Sequence, residues 1–185
     1  PYADNQFDLI YSHGVLHHVP EIRSANEELL RVLKPGGRLV IMMYHKNSVN
    51  FRLSICIFRR IMMIALYGFG CAGGRRMLRS DVFLGHLENA RREGLFRYLK
   101  TKRFTSANTD GPGNPFSKVY DEEDIAEDFS GFRLRSSRVH FLNRRHLPGI
   151  GFLGRGFERW LERNWGWHLW AELEPDDGAG RDDRL

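Results

Sequence analysis

Hydrophobic and polar positions divide the chain into blocks of different period. Residues 7–13, FDLIYSH, form a short, mainly apolar run that reads as a buried strand. Apolar positions then recur at Ile22, Ala25, Leu29, Leu30 and Leu33, which draws one stripe along a helix. Pro20 suits the first turn of that helix and Glu21 complements its positive dipole end; Lys34 suits the last turn, and Pro35-Gly36-Gly37 stops it. Residues 38–44, RLVIMMY, are apolar without alternation, the pattern of a central parallel strand covered on both faces. Together the three blocks predict a parallel βαβ unit.

Residues 49–67 predict a helix that is apolar around most of its circumference. Phe51, Ile55, Phe58, Met62 and Ala65 share one face, Leu53, Ile57, Ile61 and Ile64 the next, and Arg52, Arg59 and Arg60 a narrow remainder. Such a helix packs in a core or meets lipid or an apolar partner, and arginines at its middle argue against a membrane span. Core packing is the plainer expectation; a lid over an apolar substrate, or an interfacial helix, is the sharper one. Residues 74–103 predict one or two polar helices, and the Gly/Pro-rich residues 105–119 a loop. Asp121 caps a helix reaching about Phe129, with Asp124 at its third position. Residues 133–142 alternate as a strand, residues 152–164 fit a helix with Phe157, Trp160 and Leu161 on one side, and residues 167–173 read as a last strand. The tail, 174–185, has the composition of a disordered segment.

At 185 residues, with 42% hydrophobic and 28% charged, the chain is sized and composed for one globular domain. Two cysteines, Cys56 and Cys71, make no disulfide framework, and no signal peptide opens the chain, so a reducing, cytoplasmic setting is expected. The chain opens at Pro1, just before a strand, and is expected to be an internal fragment. The net charge of +5 is concentrated between Arg75 and Arg103. A solvated helix face with Glu88 and Glu93 as partial partners explains it. Nucleic acid is not an expected partner, because beyond Phe96-Arg97-Tyr98 no aromatic and basic array is organised for stacking.

Several patterns have plain explanations. Two GxGxxG strings occur, Gly68–Gly73 and Gly149–Gly154; no apolar strand with a terminal acid follows the first, and the second follows Arg144-Arg145-His146-Leu147-Pro148, which is not strand-like, so neither meets what dinucleotide binding needs. His13, His17 and His18 cluster without the converging ligands of a metal site, so no metal is expected. Trp160, Trp165, Trp167 and Trp170 are expected to pack in the core or against the sheet.

The stretch PYADNQFDLIYSHGVLHHVPEIRSANEELLRVLKPGGRLVIMMY resembles the second half of class I S-adenosylmethionine-dependent methyltransferase domains, of the methyltransferase type 11 kind. The match runs from the strand entry at Pro1–Asp8, through the VLHHV turn at Val15–Val19, to RVLKPGGRLVI at Arg31–Ile41. The resemblance implies an α/β, Rossmann-like partial sheet, the C-terminal part of such a domain over 1–173. Residues 45–119 are then a helical and loop insertion serving as a substrate cover, and the last two strands pair antiparallel at one side. It implies S-adenosyl-L-methionine as cofactor, met at the end of the first strand by Ser12, His13, Gly14 and His17. The family's Gly-rich loop and ribose-binding acid have no counterpart in these residues, so the chain alone is expected to be inactive.

Methyl transfer from a sulfonium needs mainly proximity and orientation, with a general base when the acceptor is a hydroxyl or carbon acid. Ligands of open α/β sheets bind at the carboxyl ends of the strands. Tyr44 and His45, just after the second strand, are therefore the first candidates for catalysis, with Asp110, Asn114, Lys118 and Tyr120 behind them. The expected acceptor is a small or lipid-like molecule. The competing function is a non-catalytic module that meets a membrane surface or partner through the apolar helix and basic patch.

Overall fold

A computed structural model describes residues 2–70, 80–142 and 154–176. Strand β1 (Phe7–His13) is followed by a 3-10 turn at Leu16–His18, helix α1 (Ile22–Val32) and strand β2 (Leu33–Tyr44). β1 and β2 pair in parallel, with Leu9 opposite Arg38 and His13 opposite Met42, so the predicted βαβ unit is present. The helix ends earlier than its stop signal suggested. Lys34 and Pro35-Gly36-Gly37 belong to β2: Leu33 is already extended, buried and paired with Phe7, and Lys34 reaches back to Asp8, Nζ to Oδ2 2.8 Å. Proline disfavours helical backbone in the residue before it, and burial of Leu33 rewards extension one residue sooner still. Gly36 takes φ +72°, where the register against β1 shifts.

Strand β4 (His168–Pro175) inserts between β2 and β3 (Phe132–His140) and runs antiparallel to both, giving the order β1-β2-β4-β3. Ile41 lies opposite Ala171, and Leu134 opposite Leu173. β2 is therefore paired along both edges, but it is not covered on both faces as its apolar run suggested: Leu39, Ile41 and Met43 fill the helix-covered face, while on the other Met42 is buried, Val40 half-buried and Arg38 exposed. One face of the sheet is covered by α1 and by α6 (Glu122–Asp128). There Ile22, Ile125 and Phe129 pack on Leu39, Ile41, Met43, Leu169 and Leu173. The expected cap of α6 forms in full: the Asp121 carboxylate accepts from the Asp124 backbone N–H, and the Asp124 carboxylate accepts from that of Asp121. Lys46 Nζ lies 2.9 Å from each carboxylate, tying the exit of β2 to the start of this helix.

Between β2 and α6 the chain builds a second core. A π-helix (Asn50–Phe58) runs into α2 (Arg59–Gly70), followed by α3 (Asp81–Glu93), α4 (Leu95–Tyr98) and α5 (Thr101–Thr109). Ile55, Met63, Leu87, Tyr98, Phe104 and Ala107 pack together and against Trp167. Three expectations change here. The loop expected from residue 105 begins only at Asp110. Phe104–Asn108 are all buried, and Ser106 Oγ and Asn108 Nδ2 bond back to the carbonyls of Lys102 and Phe104, so side chains that favour loops are absorbed by the helix. The apolar helix is not covered all round: Ile55 and Met63 face the core, while Leu53, Ile57, Phe58, Ile61 and Ile64 are exposed. Of the tryptophans, Trp167 is buried, but Trp160 and Trp165, on or at the end of α7 (Arg155–Trp165), are about half exposed.

The basic stretch behaves as a solvated face where it is described, with Glu93 paired to Arg103 at 2.9 Å and to Arg92 at 3.6 Å. The Gly68–Gly73 string begins inside α2, a helix where a dinucleotide fingerprint needs a strand. Its last three residues, Cys71, most of the Gly149–Gly154 string and the tail from 177 lie outside the described residues.

The central position of β2 sets a stability expectation. Ile41→Ala, at a fully buried position, should cost about 2–5 kcal/mol in urea unfolding. Leu9→Ala on the exposed flank of β1 should cost under about 1 kcal/mol. Equal losses would mean that β2 is not the buried centre of the sheet.

Candidate functional site

The carboxyl ends of β1 and β2 meet one loop of the insertion. Beyond β1, Gly14 takes φ +72°, a conformation that side-chain-bearing residues avoid, and the chain turns into Leu16–His18. The segment after α5 closes over this turn. Lys118 donates its backbone N–H to the His17 carbonyl (2.9 Å), the Phe116 carbonyl accepts from His18 Nδ1 (2.9 Å), and Ser117 Oγ lies 2.9 Å from the same nitrogen. A little further on, Tyr120 exchanges backbone hydrogen bonds with Tyr44 and Lys46, at 2.7 and 2.8 Å.

Tyr44 stands at the centre of this junction. Its ring is sandwiched between His17, with centroids 3.9 Å apart, and Trp167, at 4.5 Å and nearly parallel. Its Oη donates to Asp110 Oδ1 at 2.9 Å. The other oxygen of Asp110 lies 3.3 Å from His18 Nε2, an ion pair whenever that ring is protonated. Burial, then the hydrogen bond to the Asp110 carboxylate and its charge, raise the Tyr44 pKa well above the ordinary phenol range. Tyr44 is thus a phenol at neutral pH.

His17 is fully buried, and neither ring nitrogen has a hydrogen-bond partner of normal geometry; the Met42 carbonyl near it falls outside that geometry. Burial first, and the neighbouring His18 second, push its pKa down to about 4, so the ring is neutral at pH 7. A buried imidazole with two unanswered nitrogens is costly to keep unless something polar meets it.

The four residues that the resemblance places at the cofactor all sit at the end of β1, in different surroundings. Ser12 is half-buried opposite Ile41. His13 is exposed, with its ring 5.3 Å from that of Trp170. Gly14 and His17 form the turn itself. Of the catalytic candidates, Tyr44 and Asp110 meet through their side chains; Tyr120 touches Tyr44 only through a backbone bond, and the side chains of the others are engaged elsewhere. His45 is buried with Nδ1 3.0 Å from the Gly166 carbonyl, and its charged neighbours are Asp121, Arg52 and Glu122. Asn114 is spent on the loop's own bonds to Ser106 and Ser117. Lys118 pairs with Asp128 at 2.7 Å, and Tyr120 is buried against the sheet. His18 and Trp167 were not foreseen as members of this group. They reach it through contacts with residues 92 and 123 positions away, which no local pattern announces.

Residues 1–41 match the methyltransferase domain family. The chain is 48% identical over 42 residues to the protein YafE of Escherichia coli (strain K12), covering 23% of this chain and 20% of that one. It is 58% identical over 41 residues to a demethylmenaquinone methyltransferase of Paenarthrobacter aurescens (strain TC1), covering 22% of this chain and 16% of that one. The chain thus spans about a fifth or less of these relatives' length. Among solved structures, an S-adenosylmethionine-dependent methyltransferase from Mesorhizobium loti superposes over 94% of this chain and 63% of its own, with a TM-score of 0.47 and 14% identity.

The buried imidazoles dictate a pH response. With folded pKa values near 4 against 6.5 unfolded, His17 and His86 bind protons in the unfolded chain first. Stability should be full above about pH 6.5 and fall as the pH drops towards 4. His17 alone should contribute a loss of about 2 kcal/mol between about pH 7.5 and pH 5. His17→Phe keeps a ring against Tyr44 and should flatten that part of the slope in urea unfolding. An unchanged slope would show that His17 is not held neutral by the fold.

Proposed function

Starting from residues 1–41 as a stretch of the methyltransferase domain family, we propose that the chain is the C-terminal part of a class I S-adenosylmethionine-dependent methyltransferase acting on a small or lipid-like acceptor. The supporting observation is one of position. The family-matching segment folds as a parallel βαβ unit, and a tyrosine, a carboxylate and an imidazole meet in one network at its carboxyl edge, where open α/β sheets bind ligands. The quinone named for the Paenarthrobacter relative is one acceptor of the lipid-like class.

The residues present fit the cofactor's polar end. Gly14 offers backbone without a side chain at the end of β1, beside the half-buried Ser12 and the exposed His13. Ser12, His13, Gly14 and His17 are the residues that would hold it. S-adenosyl-L-methionine, when bound, supplies an electrophilic methyl group on a sulfonium.

This chain's residues then handle the acceptor. Tyr44 Oη accepts a hydrogen bond from the acceptor's O–H, N–H or acidic C–H while donating its own proton to Asp110 Oδ1. As the acceptor atom gains its methyl group it loses its proton to Tyr44, and Tyr44 passes its proton on to Asp110. The phenol is regenerated in the same step, which its raised pKa demands. His18 beside the second Asp110 oxygen stabilises the carboxylate in position before transfer. His17 and Trp167 clamp the Tyr44 ring, fixing the direction of Oη. His45 acts at one remove as a positioning residue, fastening the entry of β4 through the Gly166 carbonyl.

Calorimetric titration of S-adenosylmethionine into this chain, and into the same chain carrying whatever its reading frame encodes before Pro1, tests the class. Binding by the longer chain supports it, and binding by neither favours the non-catalytic module. In the binding-competent protein, Tyr44→Phe and Asp110→Asn should each lower methyl transfer to a quinol or phenol panel by about a hundredfold or more, with little change in cofactor affinity. Full turnover by Tyr44→Phe would remove the relay.

A further inference from the structure

We propose that the exposed face of the π-helix and α2 docks the protein on an anionic lipid surface, with the helices lying in the interface. This inference stands on that surface alone and does not need the methyltransferase reading. Leu53, Ile57, Phe58, Ile61 and Ile64 are 47–67% exposed along one continuous helical segment, Asn50–Gly70. Side chains of this size left in water in a row, not singly, mark an interaction surface.

The charges around the stripe select the occupant. No Asp or Glu occurs anywhere between Lys46 and Ser80. The two arginines in the middle of the segment leave the stripe unbroken because both lean on α5: Arg59 donates to the Asn108 carbonyl at 2.9 Å, and Arg60 donates to Thr101 Oγ1 at 2.8 Å and lies over the Phe104 ring. Arg52 is exposed near the start of the segment, and α5, which packs on the π-helix, carries Lys102 and, apart from Arg103, which is paired with Glu93, no other charged residue. On the other packed helix, α3, Glu93 is neutralised by Arg103, leaving Asp81 and Glu88 as its exposed acids. An apolar stripe flanked by cations, on a segment interrupted by two arginines, is the arrangement of an interfacial helix, and no described helix is long and apolar enough to cross a bilayer.

A second helix ends at the same edge of the sheet. α7 exposes Phe157, Trp160 and Trp165 by 44–51%, interleaved with Arg155, Arg159 and Arg163 and with the two acids Glu158 and Glu162. Its last residue is two positions from Trp167, the ring stacked on Tyr44. Amphipathic tryptophan rings between arginines suit the headgroup region. The π-helix leaves from the same strand end, since β2 stops at Tyr44 and the helix starts at Asn50.

Vesicle co-sedimentation of the full chain tests this. The chain should sediment with phosphatidylcholine vesicles containing roughly one-third phosphatidylglycerol and much less with phosphatidylcholine alone, and added salt should release it. Ile57→Glu combined with Ile61→Glu, both at exposed positions, should cut partitioning on the order of tenfold with an unchanged circular dichroism spectrum. Equal binding of neutral and anionic vesicles, no binding, or undiminished binding by the double variant each overturns the proposal. If the wild-type chain instead self-associates in light scattering, and the double variant does not, the face belongs to a second copy.

Discussion

β2 has to satisfy two partners at once, and the rest of the structure depends on how it does so. On one edge it is parallel to β1, and on the other antiparallel to β4, with Leu39, Ile41 and Met43 in the core between. A parallel neighbour needs a crossover, which α1 supplies; an antiparallel neighbour this late in the sequence needs the chain to come back from the far rim, which β3 and α7 supply. The backbone groups of a strand flanked by neighbours on both edges cannot turn to water, so both ladders must close. β1 is asymmetric by comparison. No described strand pairs with its other edge, and Leu9 and Tyr11 stand exposed there.

Everything chemically interesting gathers where β2 ends. Tyr44 is its last residue, and three separate segments converge on it: the turn after β1 through His17, the insertion's loop through Asp110 and Tyr120, and the approach to β4 through Trp167. The insertion is therefore not an appendage. Its helices carry a core of their own, and its last loop is fastened to the βαβ unit by backbone bonds at Lys118 and Tyr120. These bonds fix where Asp110 stands relative to Tyr44.

The βαβ unit was legible because each of its signals is local. The stripe of α1, the apolar run of β2 and the Asp121 cap depend on spacings of a few residues, and all three appear, the first two with shifted ends. Burial of Leu33 moved the helix–strand boundary, and burial of Phe104–Asn108 drew residues of loop-forming type into α5. Both are cases of tertiary packing overriding local preference, which a single sequence does not display. The candidate site was half legible for the same reason. Tyr44 and Asp110 are visible as polar residues after a strand and in a loop, but their meeting, and that of Asp110 with His18, spans 66 and 92 positions.

The exposed stripe and the buried network are two outcomes of one allocation of apolar surface. The 49–67 segment has more apolar residues than one face can hold. The insertion's core accepts Ile55 and Met63, and the rest remain outside. Drawing Arg59 and Arg60 towards α5 is what keeps the outer face apolar, and it also spends their donors on Asn108 and Thr101, at the two ends of the helix that delivers Asp110. The helix that places the carboxylate beside Tyr44 is thus held by the residues that clear the surface stripe of charge. Surface and site share a support, so a substitution that frees either arginine disturbs both.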